Sequence, residues 1–365
     1  MCKDYHKGKL DNLADILARE PIDLYLRNVR TKVSVYNLDG MKVPATITDT
    51  ISSQNCYAVS PYALIISYCQ VELNKLDNKI LIFLIKFALL PLSQLLRLVN
   101  IDKIQILNNF IFSTNFYDSG WEYINVSNLR KMGLSEQPKH ALAMRSLNEK
   151  LNPTLISNLK KDGWLPIVTR QVYLFNGFDP SRRDLQNDSK LMKNTHLEFK
   201  NPDISDVDAF GEVERLYNLL YLDKYTPENI QYTAAYIKEL YEQGLMHLKF
   251  LYDPIKKINV GVVGMIGSDN VITTPVLGYD TSYEQTDGLY RICTLYASKY
   301  AADNNITLNA SSGAPTFKTT RGGEPEIEYM FVYTAHLSLF KKLVWYMLSK
   351  ISLNMYKHIL QKNKL

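Results

Sequence analysis

Apolar and polar residues follow two periods along this chain, and the second half shows them most cleanly. Residues 195–200 alternate as a short strand. Residues 206–221 carry apolar side chains at helical spacing behind a start rich in Asp and Ser. Residues 227–243 repeat that pattern up to Gly244, a residue suited to stopping a helix. Segments 246–252 and 260–265 read as strands around the turn at Asp253 and Pro254, and 271–278 as a third. Residues 289–303 predict a helix, 306–310 a strand and 329–333 a last strand. The first half ends the same way, with a helix from Leu155 closed by Gly163 and a strand over 166–175. The stretch 176–194 is rich in turn formers and charge and reads as a loop or domain boundary. This order predicts an α/β (α+β) fold, a mixed central sheet flanked by helices, with a weak internal duplication. No repeat with a period of about 20–50 residues is present, which excludes a solenoid.

Two segments stand apart. Residues 80–92 are mostly apolar but are interrupted by Lys86 and Pro91. They fall short of the roughly 20 residues of a membrane span, so a core helix or buried strand is expected, with interfacial contact as the alternative. In the tail, Phe340, Leu343, Val344, Met347, Leu348, Ile351, Met355 and Ile359 share one helical stripe. Lys342, Lys350 and Lys357 lie off it, and Lys341 and Lys362 lie at or inside its edge. Residues 341–365 therefore predict a basic amphipathic helix. It either docks on the body or makes peripheral contact with an anionic membrane surface.

Composition narrows the picture. With 365 residues, 46% hydrophobic and 22% charged, the chain can bury a core and is long enough for two domains. The net charge of +5 resides in the tail, because the first 340 residues hold 36 basic and 37 acidic side chains. A neutral body offers no groove for nucleic acid, so no DNA partner is expected. Four scattered cysteines (Cys2, Cys56, Cys69, Cys293) show neither zinc spacing nor a disulfide framework, and the six histidines form no HxxxH pair. The start is charged throughout and lacks the apolar core of a signal peptide. The expected location is cytoplasmic, with a peripheral position at the inner membrane face left open by the tail.

Three local signals carry a resemblance: the pair of helices followed by 244–250 and 260–266, the segment 275–280 leading into a helix near Gly288, and the stretch 308–325 with Gly313, Phe317, Lys318, Arg321, Gly322 and Gly323. Together they resemble the GNAT acyltransferase domain, and more specifically the Fem-like branch, in which two GNAT-type domains share a chain. His140 to Asn148 and Arg170 to Tyr173 look like the corresponding part of a first domain. The resemblance implies a divergent GNAT-like unit over 1–180, an acyltransferase unit over 195–340 and the tail helix over 341–365. One departure concerns the donor. Acetyl-CoA enzymes of this kind place a glycine-rich turn before the long helix, whereas 283–288 here has Glu284, Asp287 and a single glycine. Acids there repel a pyrophosphate.

Amide formation from a thioester or ester needs a neutral amine, a path for its proton and donors aimed at the oxyanion. Candidates near strand ends are Tyr279, Asp280 and Glu328, with Glu326 beside them, and the cations Lys318 and Arg321 on the turn after a strand. Asn309, Ser311, Gly313, Arg145 and Arg170 are candidate substrate contacts. Structural roles compete with each: a solvated loop pair for Lys318 and Arg321, strand-end capping for Asn309 and Ser311, an exposed strand face for Glu328, and structural ion pairs for Arg145 and Arg170. The resemblance implies N-acyl or aminoacyl transfer to an amine, with no tightly bound cofactor or metal. Acyl-CoA, an acyl-carrier protein or aminoacyl-tRNA would be the donor. The alternative is a non-catalytic GNAT-fold binding module in a larger assembly.

Overall fold

A computed structural model describes residues 2–73 and 79–363. Parts of two expected units, residues 1 and 74–78 in the first and 364–365 in the tail, lie outside the described residues. The first half runs α1 (Cys2–Arg19), β1 (Lys32–Leu38), β2 (Met41–Thr48), α2 (Tyr68–Leu73), α3 (Lys79–Leu98), β3 (Ile104–Leu107), α4 (Val126–Glu136), β4 (Ala141–Leu147), α5 (Pro153–Lys161) and β5 (Leu165–Phe175). The second runs α6 (Arg183–Asn194), β6 (Glu198–Lys200), α7 (Ala209–Asn218), α8 (Ala234–Glu242), β7 (His247–Asp253), β8 (Ile258–Gly267), β9 (Val271–Tyr279), α9 (Leu289–Asp303), β10 (Thr307–Asn309), α10 (Pro315–Thr320) and β11 (Glu324–Tyr333). The chain closes with α11 (Leu339–Ile351) and α12 (Lys357–Asn363).

The eleven strands form one mixed sheet in the order β1-β2-β3-β4-β11-β5-β10-β9-β8-β7-β6. One connectivity occurs twice. β2 and β3 are antiparallel, α4 crosses to β4 parallel to β3, and α5 leads to the long β5. Likewise β8 and β9 are antiparallel, α9 crosses to β10 parallel to β9, and α10 leads to the long β11. Each long strand then crosses into the other half: β5 pairs with β10, and β11 pairs with β4. The two run antiparallel to one another, from Glu324 opposite Leu174 to Val332 opposite Leu165. Helices cover both faces of each half, and apolar side chains gather in four clusters accordingly. This is the mixed, helix-flanked sheet that the apolar pattern predicts.

Local chemistry explains several element ends. Pro153 opens α5, where a missing N–H costs nothing, and Gly163 follows it with φ +86°. Thr233 caps α8 by accepting from the Tyr236 N–H at 3.3 Å.

Four sequence expectations are corrected. The loop expected over 176–194 is helical from Arg183, as α6. Its anchor is not a broad apolar stripe but the buried carboxylate of Asp188, paired with Arg291 and Arg321 from elsewhere in the fold, a signal no periodicity carries. The helix expected over 227–243 starts only at Ala234, while residues 219–225 form a π-helical turn. The last strand starts at Glu324 rather than Tyr329, its first turns disguised by Pro325 and alternating acids but paired with β5. Residues 80–92 are helical, as part of α3, yet they are buried on one side only: Leu89 enters the core with Ile85 and Leu92 packed against it, whereas Phe83 and Phe87 are 67% and 68% exposed.

The tail is helical through α11 and α12 with a π-helical turn between them, and it docks, although Phe340, Leu343, Ile351 and Met355 of the expected stripe face outward. Val344, Trp345 and Leu348 join the core cluster over β3, β4 and β11, and Leu360 joins the one on the opposite face.

Because β11 is shared between the halves, a cavity in it propagates to both. Phe331→Ala, at a fully buried position, is expected to cost about 3–5 kcal/mol. Hydrogen exchange should then show amides of β3–β4 and β9–β10 losing protection together. Loss confined to one half would refute the coupling.

Candidate active site

The seam between the halves carries buried charge. Arg170 on β5 stands directly opposite Glu328 on β11 in the strand register. Its Nε donates to Glu328 Oε1 at 2.8 Å and its Nη2 to Oε2 at 3.2 Å, with both side chains nearly removed from solvent. The guanidinium has further acceptors: Nη1 donates to Ser311 Oγ at 3.0 Å, and Nη2 to the Ser113 carbonyl at 2.7 Å and Thr114 Oγ1 at 3.0 Å. Burial disfavours the charged guanidinium, but the adjoining Glu328 carboxylate more than offsets this and raises its pKa.

A second guanidinium lies against the first. Arg145 sits where the pairing of β4 with β11 shifts register, beside Ser146 with φ +62°. Such a bulge re-aims a side chain out of the regular alternation. Arg145 Nη1 donates to the Phe112 carbonyl at 2.8 Å and Nη2 to the Ser113 carbonyl at 2.9 Å, so both arginines share one carbonyl oxygen. Among the described residues Arg145 forms no ion pair, and its acceptors are neutral. Burial, and then the charge of Arg170, lower its pKa.

The loop that supplies these carbonyls is tightly held. Asn108 and Ile111 have φ +51° and +57°. Asn109 Nδ2 donates to Thr46 Oγ1 and the Ala58 carbonyl, each at 2.9 Å, while Phe110, Phe112 and Phe116 stack. A β-branched residue at positive φ is strained by about 1–3 kcal/mol and persists only where its surroundings over-determine it.

Arg145, Ser146, Thr169, Arg170 and Glu328 line a slot of ≈ 30 Å³, together with Tyr57, Leu64 and Tyr68. That is about twice the space one water needs, enough for an oxygen-bearing group. Burial keeps the Tyr57 phenol protonated well past neutrality. On the other face of the same strands lies a broader groove of ≈ 490 Å³ with Glu149, Gln171, Glu326 and Lys357 on its walls.

The remaining candidates fall into separate places. Lys318 is buried on α10, and its Nζ donates to the carbonyls of Ala310 (2.7 Å), Ser311 (3.2 Å) and Ser312 (2.8 Å). Three acceptors match the three N–H groups of an ammonium, yet burial and the nearby Arg170 push its pKa down to about 7. Lys318 therefore pins the turn that brings Ser311 to Arg170. Asn309 helps by accepting the Ser311 N–H at 3.0 Å, and Gly313 supplies φ +80° in the same turn. Arg321 lies elsewhere, gripping Asp188 at 2.6 Å and the Phe317 carbonyl at 3.0 Å. Tyr279 accepts from Lys224 Nζ at 2.9 Å, and Asp280 accepts the N–H and Oγ–H of Ser282 at 3.0 and 2.7 Å. Neither meets the arginine pair. Thus Arg145, Arg170, Glu328, Ser311 and, through its turn, Lys318 come together. Tyr57, Ser113 and Thr114 join them unforeseen; the one signal in the sequence was a run of Asn, Ser and Thr set among phenylalanines at 108–116.

Among the described residues no group of His, Cys, Asp and Glu is placed to hold a metal ion, and no helix is long and apolar enough to cross a membrane.

No protein-family model and no curated protein matches this sequence. Solved structures do. The C-terminal domain (DUF2156) of a protein assigned as a lysylphosphatidylglycerol synthetase from Agrobacterium fabrum superposes with a TM-score of 0.53 at 10% identity, over 90% of this chain and 92% of that one. The chain shares the fold of that domain, a mixed sheet flanked by helices. L-PGS from Bacillus licheniformis (TM-score 0.46, 9% identity, 62% of this chain and 77% of that) and FemX (0.47, 10%, 60% and 78%) also match. In this sheet Arg170 lies on the exchanged strand β5, and Arg145 on β4, which flanks the exchanged strand β11.

Two outcomes follow. Glu328→Gln leaves two buried guanidiniums without a counter-charge and should lower unfolding free energy by about 3–5 kcal/mol in denaturant titrations; a loss under 1 kcal/mol would refute the account. For Lys318, the unfolded chain holds its proton to about pH 10.4, whereas the folded chain releases it near 7. The unfolded state binds more protons between those values, so this group's contribution to stability rises with pH. Relative to Lys318→Met, the native chain should gain about 2 kcal/mol between pH 7 and pH 9.

Proposed function

We propose that the chain transfers an acyl or aminoacyl group from a carrier to an amine, forming an amide at the arginine slot. The observation that carries this reading is the charge imbalance there: two buried guanidiniums face one carboxylate, and Arg145 rests on neutral carbonyls. When an amine attacks an acyl carbonyl, negative charge develops on the oxygen. A preset cation in a slot with little water stabilises that charge without reorganising. Arg145 and Arg170 are the residues for this role, with Glu328 and Ser311 as positioning residues that orient Arg170 and Lys318 as the residue that positions Ser311. The protonated Tyr57 phenol is a donor beside the slot.

Donor choice rests on α9. At its start Asp287 accepts the Glu284 N–H at 3.0 Å, and Glu284 accepts from Thr286 Oγ1 at 3.2 Å. The turn closes on its own acids and leaves no anion cradle for a coenzyme A pyrophosphate. A carrier thioester, on acyl-CoA held elsewhere or on an acyl-carrier protein, ranks first. Aminoacyl-tRNA ranks second because the body of the chain is neutral. In this reading the GNAT-type units are residues 1–180 and 195–340, the site lies between them, and the chain works in the cytoplasm.

A thermal-shift panel of acyl-CoA, acyl-carrier protein and charged tRNA tests the donor, and mass spectrometry of an amine mixture tests for the amide. One donor class should raise the melting temperature. Arg145→Lys, which keeps charge but loses the fork, should reduce kcat about 100-fold with the fold intact. If no donor shifts melting and no amide forms, the acid-closed α9 start favours the non-catalytic binding module.

A further inference from the structure

Helices α3 and α11 lie on the same face of the sheet, because both send side chains into one core cluster: Leu89 and Leu96 from α3, Val344, Trp345 and Leu348 from α11. Their outward stripes therefore face away from the same side of the molecule. A water-facing stripe is normally polar. Here it is not. On α3, Phe83, Leu84, Phe87 and Leu90 are between 56% and 68% exposed, and the two phenylalanine rings stack at 6.5 Å. On α11, Leu339, Phe340, Leu343 and Tyr346 are between 50% and 68% exposed.

The charges on these stripes have one sign. Lys79 and Lys86 are spaced at four and three residues from Phe83, and Lys342 and Lys350 lie three from Leu339 and four from Tyr346. Residues this far apart share a helix face. Neither helix contains an acid.

The geometry points to a two-helix face that binds the surface of an anionic lipid bilayer, with α3 and α11 lying in the headgroup layer. Lysines among the apolar positions suit this occupant, since their stems pass along the acyl boundary while the ammonium groups reach lipid phosphates. A second copy of the chain fits worse. A two-fold contact would set lysines against lysines with no acid on either helix to answer them. The inference is independent of the acyl-transfer reading.

Co-sedimentation of the full chain with vesicles tests it. Binding is expected to phosphatidylcholine vesicles containing 30% phosphatidylglycerol, to be at least tenfold weaker on pure phosphatidylcholine, and to fall in high salt. Phe83→Glu/Phe87→Glu and Phe340→Glu/Leu343→Glu should each weaken binding tenfold or more. Lys86→Gln and Lys350→Gln should each weaken it about fivefold, without moving the melting temperature. The proposal is overturned by absence of binding to anionic vesicles, or by binding that both glutamate pairs leave unchanged. It is also overturned if sedimentation equilibrium shows the face closing a dimer that excludes vesicles.

Discussion

The exchange of the two long strands places Arg170 opposite Glu328, and most of what is distinctive in this molecule depends on that seam. Had each half kept its own last strand, the two residues would belong to separate sheets. Instead β5 and β11 zip antiparallel through the middle, and each is flanked by a strand of the other half. The ion pair adds little net stability in itself, because removing two charges from water costs about as much as their attraction returns. What it secures is register. A slip of one residue would place the two charges on opposite faces of the sheet.

Around the seam, strain and charge are arranged together. The loop at 108–116 holds Ile111 at positive φ and stacks three phenylalanines, and the result is a pair of carbonyls presented to two guanidiniums. Those carbonyls satisfy the arginines' donors without neutralising them. The turn after β10 works in the same sense: Lys318 binds three of its carbonyls, Asn309 takes one of its amides, and Ser311 then reaches Arg170. One carboxylate against two cations leaves a buried positive excess, which is the property a developing oxyanion requires.

The outer surface obeys a different rule. α3 and α11 bury one apolar stripe and leave another in the open. Helices hydrophobic on most of their circumference are usually enclosed by protein or by lipid. Here the protein encloses only half.

Much of this was legible in the sequence, for reasons that differ residue by residue. Helix α5 with Gly163, the meander β7–β9 and helix α9 show in the order of apolar positions, because their cores are local stripes read off at a period of two or 3.6. Arg145, Arg170, Glu328, Ser311 and Lys318 could be named as candidates from residue type and position. Helix α6 could not be seen, since its anchor Asp188 pairs with Arg291 and Arg321, more than a hundred positions away. Nor could the separation of Arg321, Tyr279 and Asp280 from the arginine pair, or the arrival of Tyr57 and Ser113 beside it. Local patterning thus determined most elements of the second half, the mixed-sheet class and the basic tail. Which side chains meet was decided by strand order, bulges and the exchange of β5 with β11. These are long-range choices, in which the cost of closing a loop is set against burial that only the assembled sheet provides.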